Sequence, residues 1–173
     1  MKFDRRTLKT VFGYYLTLIE KFIGKSFKKN RLQLIFNYLS INPHLATSGQ
    51  PTADQLEIIA QSGFKSIINL APHSSENALK NEADIVTSLG MQYIHIPVDF
   101  DNPQQQDFDQ FVSAVKDCAQ HKTWVHCAAN MRVSCFIYLY RTRILGDSQQ
   151  QAEVDLNKIW QPFGVWQNFI AKK

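Results

Sequence analysis

The stretch WVHCAANMRVSC, Trp124 to Cys135, sets a histidine and a cysteine at the end of a short apolar run and an arginine five positions after the cysteine. Cys127 closes a strand pattern, and the loop Ala128, Ala129, Asn130 and Met131 runs straight into an apolar helix pattern. The N–H groups of such a loop and the positive end of the following helix converge on one point, which binds an anion and favours the thiolate form of a cysteine. Arg132 adds a planar fork of donors matched to phosphate or sulfate oxygens. Asn130 stands where a tight loop requires a positive φ, and Asn tolerates it. Ser134 brings a hydroxyl near the sulfur. His126 is expected to orient the loop through hydrogen bonds rather than to act as a base. The chemistry implied is a thiolate nucleophile beside an anion cradle.

Three β-branched or apolar runs supply the strands that must carry this loop: Lys65 to Leu70, Met91 to Val98, and Thr123 to His126. Leu32 to Ile41 alternates loosely and could give another, whereas Asn42 to Thr52, NPHLATSGQPT, reads as turns. Thr52 is a plausible N-cap for a helix over Ala53 to Gln61 that Gly63 ends, and a polar helix is expected from Glu76 to Leu89. Phe108 to Ala119 and Met131 to Leu145 have helical apolar spacing, and the region of Trp160, Pro162 and Trp166 reads as short closing helices. Strands alternating with helices predict an α/β fold, a mostly parallel central sheet flanked by helices. The ligand site of such a sheet lies beyond the carboxyl ends of its strands. Cys127 and Asp99, the first residue after the Met91 to Val98 run, therefore share one edge.

The 173 residues suffice for one domain, taken as residues 32–173, with an extension over residues 1–31. Up to Arg31 there are nine Lys or Arg against Asp4 and Glu20, and the remainder carries ten basic and thirteen acidic residues. The extension is basic and the body mildly acidic. Leu8, Val11, Phe12, Tyr15, Ile19, Phe22 and Ile23 fall at helical spacing, so an amphipathic helix is expected there. Capping the domain core is its expected role, with a peripheral membrane or protein contact as the alternative. Cys118, Cys127 and Cys135 lack disulfide or zinc spacing, with Cys118 and Cys135 read as packing residues. His44, His73 and His121 show no metal-ligand spacing, and His95 reads as a core histidine. No metal, cofactor or nucleic acid is implied. A signal peptide and a membrane span are not expected, and the cytoplasm fits best.

The loop resembles that of the cysteine-dependent protein tyrosine and dual-specificity phosphatases. Ser48 to Thr52, Phe64 to Leu70, His95 to Val98 and Val125 to Ser134 together resemble a bacterial phosphatase-like family of uncharacterised function. The resemblance implies a dual-specificity-phosphatase-like fold and an anionic, phosphorylated substrate. It implies Cys127 as nucleophile, Arg132 as phosphate clamp and Ser134 assisting departure of the thiolate. It implies an aspartate after the HIPV strand as general acid, Asp99 favoured over Asp101, and it draws attention to Ser48 and Gln50. The phosphatase signature has five residues between Cys and Arg, but four stand here, Ala128 to Met131. Rhodanese-type sulfurtransferases are similar in that spacing, so sulfur transfer through a Cys127 persulfide and non-catalytic anion binding stay open beside phosphate-ester hydrolysis.

Overall fold

A computed structural model, describing residues 4–23 and 32–172, builds the chain around a five-stranded sheet in the order β1-β2-β5-β3-β4. The strands are β1 (Leu39–Asn42), β2 (Leu45–Ser48), β3 (Phe64–Asn69), β4 (Gln92–His95) and β5 (Lys122–His126). β2, β5, β3 and β4 are parallel, and β1 is an antiparallel edge hairpinned to β2. Their register pairs Ser48 with His126, His126 with Asn69, and Asn69 with His95. Four carboxyl ends thus finish level on one edge.

Alternation along the strands sends neighbouring residues to opposite layers. Ile67 and Trp124 enter the layer beneath α2 (Ala53–Gln61) and α3 (Glu82–Ser88), with Leu56, Ile59 and Val86. Ile68 and Val125 enter the layer closed by α4 (Gln105–Asp117), α5 (Met131–Leu139), α6 (Gln149–Ile159) and α7 (Val165–Ala171). There Phe108, Phe111, Phe136, Trp166 and Phe169 make one aromatic stack. Emptying such a position, as in Phe→Ala, costs about 3–5 kcal/mol.

The capping of α2 follows the sequence: Thr52 Oγ1 accepts from the Gln55 N–H at 3.2 Å, and Gln55 Oε1 accepts from the Thr52 N–H at 3.0 Å. Gly63 ends it with φ of 86°. The three expected strands are present, each within a few residues of its expected bounds. The segment read as turns instead contains β2, because the turn is used up by Asn42, whose Oδ1 accepts from the His44 N–H at 2.8 Å. The polar helix starts at Glu82, not Glu76. Residues 72–81 remain irregular, with Asn77 turned into the interior and Asn81 at φ of 59°. The Met131 helix is α only to Leu139 and continues as a π-helical turn, Tyr140–Ile144.

The first helix, α1 (Arg5–Ile23), forms as expected but faces the other way. Its polar side meets the body: Thr7 Oγ1 accepts from the Gln161 N–H at 3.0 Å, Thr10 Oγ1 donates to the Ile159 carbonyl, and Gly13 lies against the Phe36 ring. The apolar stripe does not cap the core. Leu8 is 51 % exposed, Phe12 66 % and Tyr15 57 %. The side chains of Ile19, Phe22 and Ile23 lie outside the described residues.

The Phe36 ring is held between two glycines. A Cβ at Gly13 would meet Phe36 Cε2 at 2.5 Å, and one at Gly49 would meet Cδ1 at 2.7 Å. With Gly49 behind it the ring has little room to yield, and overpacking of this kind costs about 1–3 kcal/mol. Gly13→Val is expected to speed amide exchange across α1 by roughly tenfold while the sheet stays protected. Hydrogen exchange measured by mass spectrometry checks this.

Candidate functional site

The level edge carries a polar cluster at its centre. Glu82, 2 % exposed, opens α3 and points its carboxylate at the strand ends. Gln50 Nε2 donates to Oε1 at 2.5 Å, Asn69 Nδ2 donates to Oε2 at 2.7 Å, and Tyr93 donates its phenol proton to Oε2 at 2.9 Å. His126 Nε2 lies 3.3 Å from Oε1 as an ion-pair contact. Burial acts to raise the Glu82 pKa, but the His126 charge and these hydrogen bonds outweigh it and hold the carboxyl at about 2. Burial and then the Glu82 charge push the Tyr93 phenol well up, so it remains a donor. His126 is fully buried with its Nε2 against the Glu82 carboxylate, and neither ring nitrogen has a hydrogen-bond partner among the described residues.

Cys127 follows directly, fully buried, with its N–H donating to the Ser48 carbonyl at 3.4 Å. The next two carbonyls are held away from the loop centre. Ala128 O accepts from Asn77 Nδ2 at 2.9 Å and from the Gln50 N–H at 3.3 Å, and Ala129 O accepts from Asn37 Nδ2 at 3.0 Å. In a trans peptide the C=O and the following N–H point in opposite directions, so the Ala129 N–H is aimed back into the loop. Asn130 has φ of 64°, and its Nδ2 donates to Asn37 O at 2.7 Å and Thr47 Oγ1 at 3.0 Å. Met131 and Arg132 are the first residues of α5, where backbone N–H groups have no partner within the helix.

Arg132 Nε is buried and has no hydrogen-bond partner among the described residues. Its guanidinium lies 5.1 Å from the Phe100 ring centroid. Phe100 packs against Trp160 and Trp166, and its carbonyl accepts from Trp166 Nε1 at 2.8 Å. The residue between Asp99 and Asp101 is therefore fixed on the arginine. Both aspartates are exposed, and Asp99 Oδ1 accepts from the Asp101 N–H at 2.9 Å. Ser134 Oγ donates to the Met131 carbonyl at 2.9 Å and accepts from Trp160 Nε1 at 3.1 Å. Tyr14 of α1 faces this side of the molecule. It hydrogen-bonds Glu76 and lies within electrostatic range of Arg132, with burial and then the Glu76 charge raising its pKa.

Cys127, the loop Ala128 to Met131, Arg132 and Ser134 thus share one turn, with Gln50 beneath it. Ser48 has a structural task, accepting from Trp124 Nε1 at 2.9 Å and donating to the Gly49 carbonyl at 2.6 Å. His95 is half-buried, its Nε2 bonded to the Ala71 carbonyl at 2.8 Å. Cys118 and Cys135 are buried and free, and burial pushes the Cys135 thiol up. No group of His, Cys, Asp and Glu suited to a metal ion occurs among the described residues. Sequence reasoning missed Glu82, Asn77, Asn37 and Phe100. Glu82 alone had a readable signal, since it shares a helical face with Val86 and Leu89.

Residues 39–164 match the family model described as a DSP-PTPase phosphatase fused to NAD+ kinase. A protein of the DUF442 class from Shewanella putrefaciens CN-32 is 34 % identical, covers 80 % of this chain and 91 % of its own, and superposes with a TM-score of 0.72. The core catalytic domain of a PP-IP phosphatase from S. cerevisiae shares the fold at 16 % identity, with 79 % and 84 % of the two chains covered and a TM-score of 0.67. Beta-lactamase hydrolase-like proteins from two strains of Xylella fastidiosa are 33 % identical over 97 residues, 54 % of this chain and 22 % of theirs. The chain spans about a fifth of the length of those curated relatives.

The anchor makes a sign-definite prediction. A carboxyl depressed to about 2 from an ordinary 4.5 contributes stability that is fully present above 4.5 and is lost as pH falls through 2. Glu82→Gln, which removes the buried carboxylate from the donors arranged around it, is expected to lose about 3–5 kcal/mol near neutral pH. Urea unfolding between about pH 5 and pH 2 should show the wild type losing that advantage over the variant.

Proposed function

The chain belongs to the DSP-PTPase family described as fused to NAD+ kinase, and from that premise we propose that it hydrolyses phosphate monoesters through a phosphocysteine on Cys127. The observation that carries this reading is the buried Arg132 Nε without an acceptor, placed at the start of α5 beside a buried cysteine. A buried, unpaired guanidinium donor is costly unless an anion completes it. A phosphoryl group supplies the missing acceptors, held by that side chain together with the Ala129 and first-turn N–H groups.

In the first step the Cys127 thiolate attacks phosphorus, a sulfur–phosphorus bond forms, and the ester oxygen leaves with a proton from an aspartic acid. In the second, the same carboxylate takes a proton from water as its oxygen attacks phosphorus, releasing inorganic phosphate and the thiolate. Asp99 is assigned this role, because it follows Val98, whose N–H donates to the Leu70 carbonyl at 3.1 Å, and its carboxylate is held by the Asp101 N–H. Asp101 is the competing assignment. Ser134 would stabilise the departing thiolate by turning its hydroxyl from the Met131 carbonyl toward sulfur. Four residues between Cys and Arg suffice in this reading because the guanidinium reaches the cradle from the helix, braced on Phe100. Sulfur transfer from the shorter loop is not favoured, since the family model that matches residues 39–164 is described as a phosphatase.

Hydrolysis of a small aryl phosphate tests the proposal. Wild-type turnover should vanish in Cys127→Ser and fall about a hundredfold or more in Arg132→Ala. Absence of wild-type turnover, with sulfur transfer from thiosulfate, would overturn it. For the acid, the descending alkaline limb of the kcat/KM profile belongs to the group that must be protonated. Asp99→Asn should remove that limb with a loss of about a hundredfold, while Asp101→Asn keeps it. The opposite pattern moves the role to Asp101.

A further inference from the structure

We propose that the outward face of α1 is a docking surface for an anionic lipid bilayer. The helix divides sharply into two sides. At about 100° per residue, Thr7, Thr10, Gly13, Tyr14 and Thr17 lie on one side, and Leu8, Val11, Phe12, Tyr15 and Leu16 on the other. The first side is spent on the body, through Thr7, Thr10 and Gly13. The second is left in solvent, with Phe12 66 % and Tyr15 57 % exposed.

Two properties select a charged lipid surface over a protein partner or a second copy. Arg5 and Lys9 are exposed, Arg5 within the arc at its first turn and Lys9 at its border, and the segment to Arg31 carries nine basic residues against two acidic ones while the rest of the chain is net acidic. A second copy of this chain would bring the same positive charge to the same face. An anionic bilayer attracts the helix and repels the body, which sets the orientation as well as the affinity. An apolar face bordered by basic residues is the pattern of helices that lie in the membrane interface. No helix among the described residues is long and apolar enough to cross a membrane, so the contact is one of lying on the surface. Since Tyr14 on the opposite side lies within electrostatic range of Arg132, the helix stands between the bilayer and the loop, a thickness of roughly 10 Å.

Flotation of the full chain with vesicles gives the test. Phosphatidylcholine vesicles containing phosphatidylserine should carry the protein upward, vesicles of phosphatidylcholine alone should not, and raising the salt should release it. Leu8→Ser with Phe12→Ser is expected to reduce partitioning by about tenfold or more. Arg5→Gln with Lys9→Gln is expected to reduce it to a similar degree on the anionic vesicles only. These side chains are exposed, so thermal unfolding and turnover of a soluble aryl phosphate serve as controls that the variants are folded. Failure of the wild type to float on anionic vesicles overturns the proposal. So does undiminished flotation of the apolar variant, or a sedimenting dimer that the same substitutions dissociate.

Discussion

A carboxylate taken out of water must be matched donor for donor, and this requirement at Glu82 organises the edge where the strands end. Four groups answer it, from the loop after β2, the end of β3, β4 and the end of β5. Each segment would otherwise end independently. Tied to one charge, their ends are fixed relative to each other, and His126 is fixed relative to the residue it precedes. A partly satisfied network of this kind would be worse than an apolar core. Its members are therefore interdependent, and loosening one end loosens the loop that carries Cys127.

The loop itself works by directing carbonyls outward. Asn77 and Asn37 reach it from opposite sides and capture the Ala128 and Ala129 oxygens, and Asn130 accepts a left-handed backbone so that α5 can begin at once. An arginine one position earlier than in the phosphatase signature is thereby placed on the helix rather than at the close of the loop. Phe100 compensates by giving the guanidinium a surface to lie on, and through its neighbours it ties the aspartate loop to the same arginine. The short loop and the braced arginine are two halves of one arrangement.

Much of this could be read from the sequence where local chemistry decides the outcome. Thr52 caps, Gly63 terminates and Asn130 turns because each satisfies a constraint within a few residues of itself. The parallel sheet followed from β-branched runs alternating with helices, and the phosphatase family was recognisable from the segments around Gln50, Ile67, Pro97 and Cys127. Failures came where a distant partner decided. LATS reads as a turn until β5 lies beside it. Residues 76 to 81 have helical composition, yet Asn77 is worth more bonded to the Ala128 carbonyl. The stripe of α1 looked like a core face because periodicity reports that a helix has two sides, without saying which one the protein keeps.

The bonds that shape the loop are long in sequence. Asn77 and Ala128 are 51 residues apart, Asn37 and Ala129 are 92 apart, and Asn130 reaches Thr47 across 83. Contacts of such separation form only against the entropy of closing the long loops between them. During synthesis, segments around residues 37, 47 and 77 leave the ribosome well before the cysteine they will surround. β5 lies between β2 and β3, so the pieces that frame Cys127 come side by side only when the strand that precedes it joins the sheet, and the thiol's surroundings close around it in that same step.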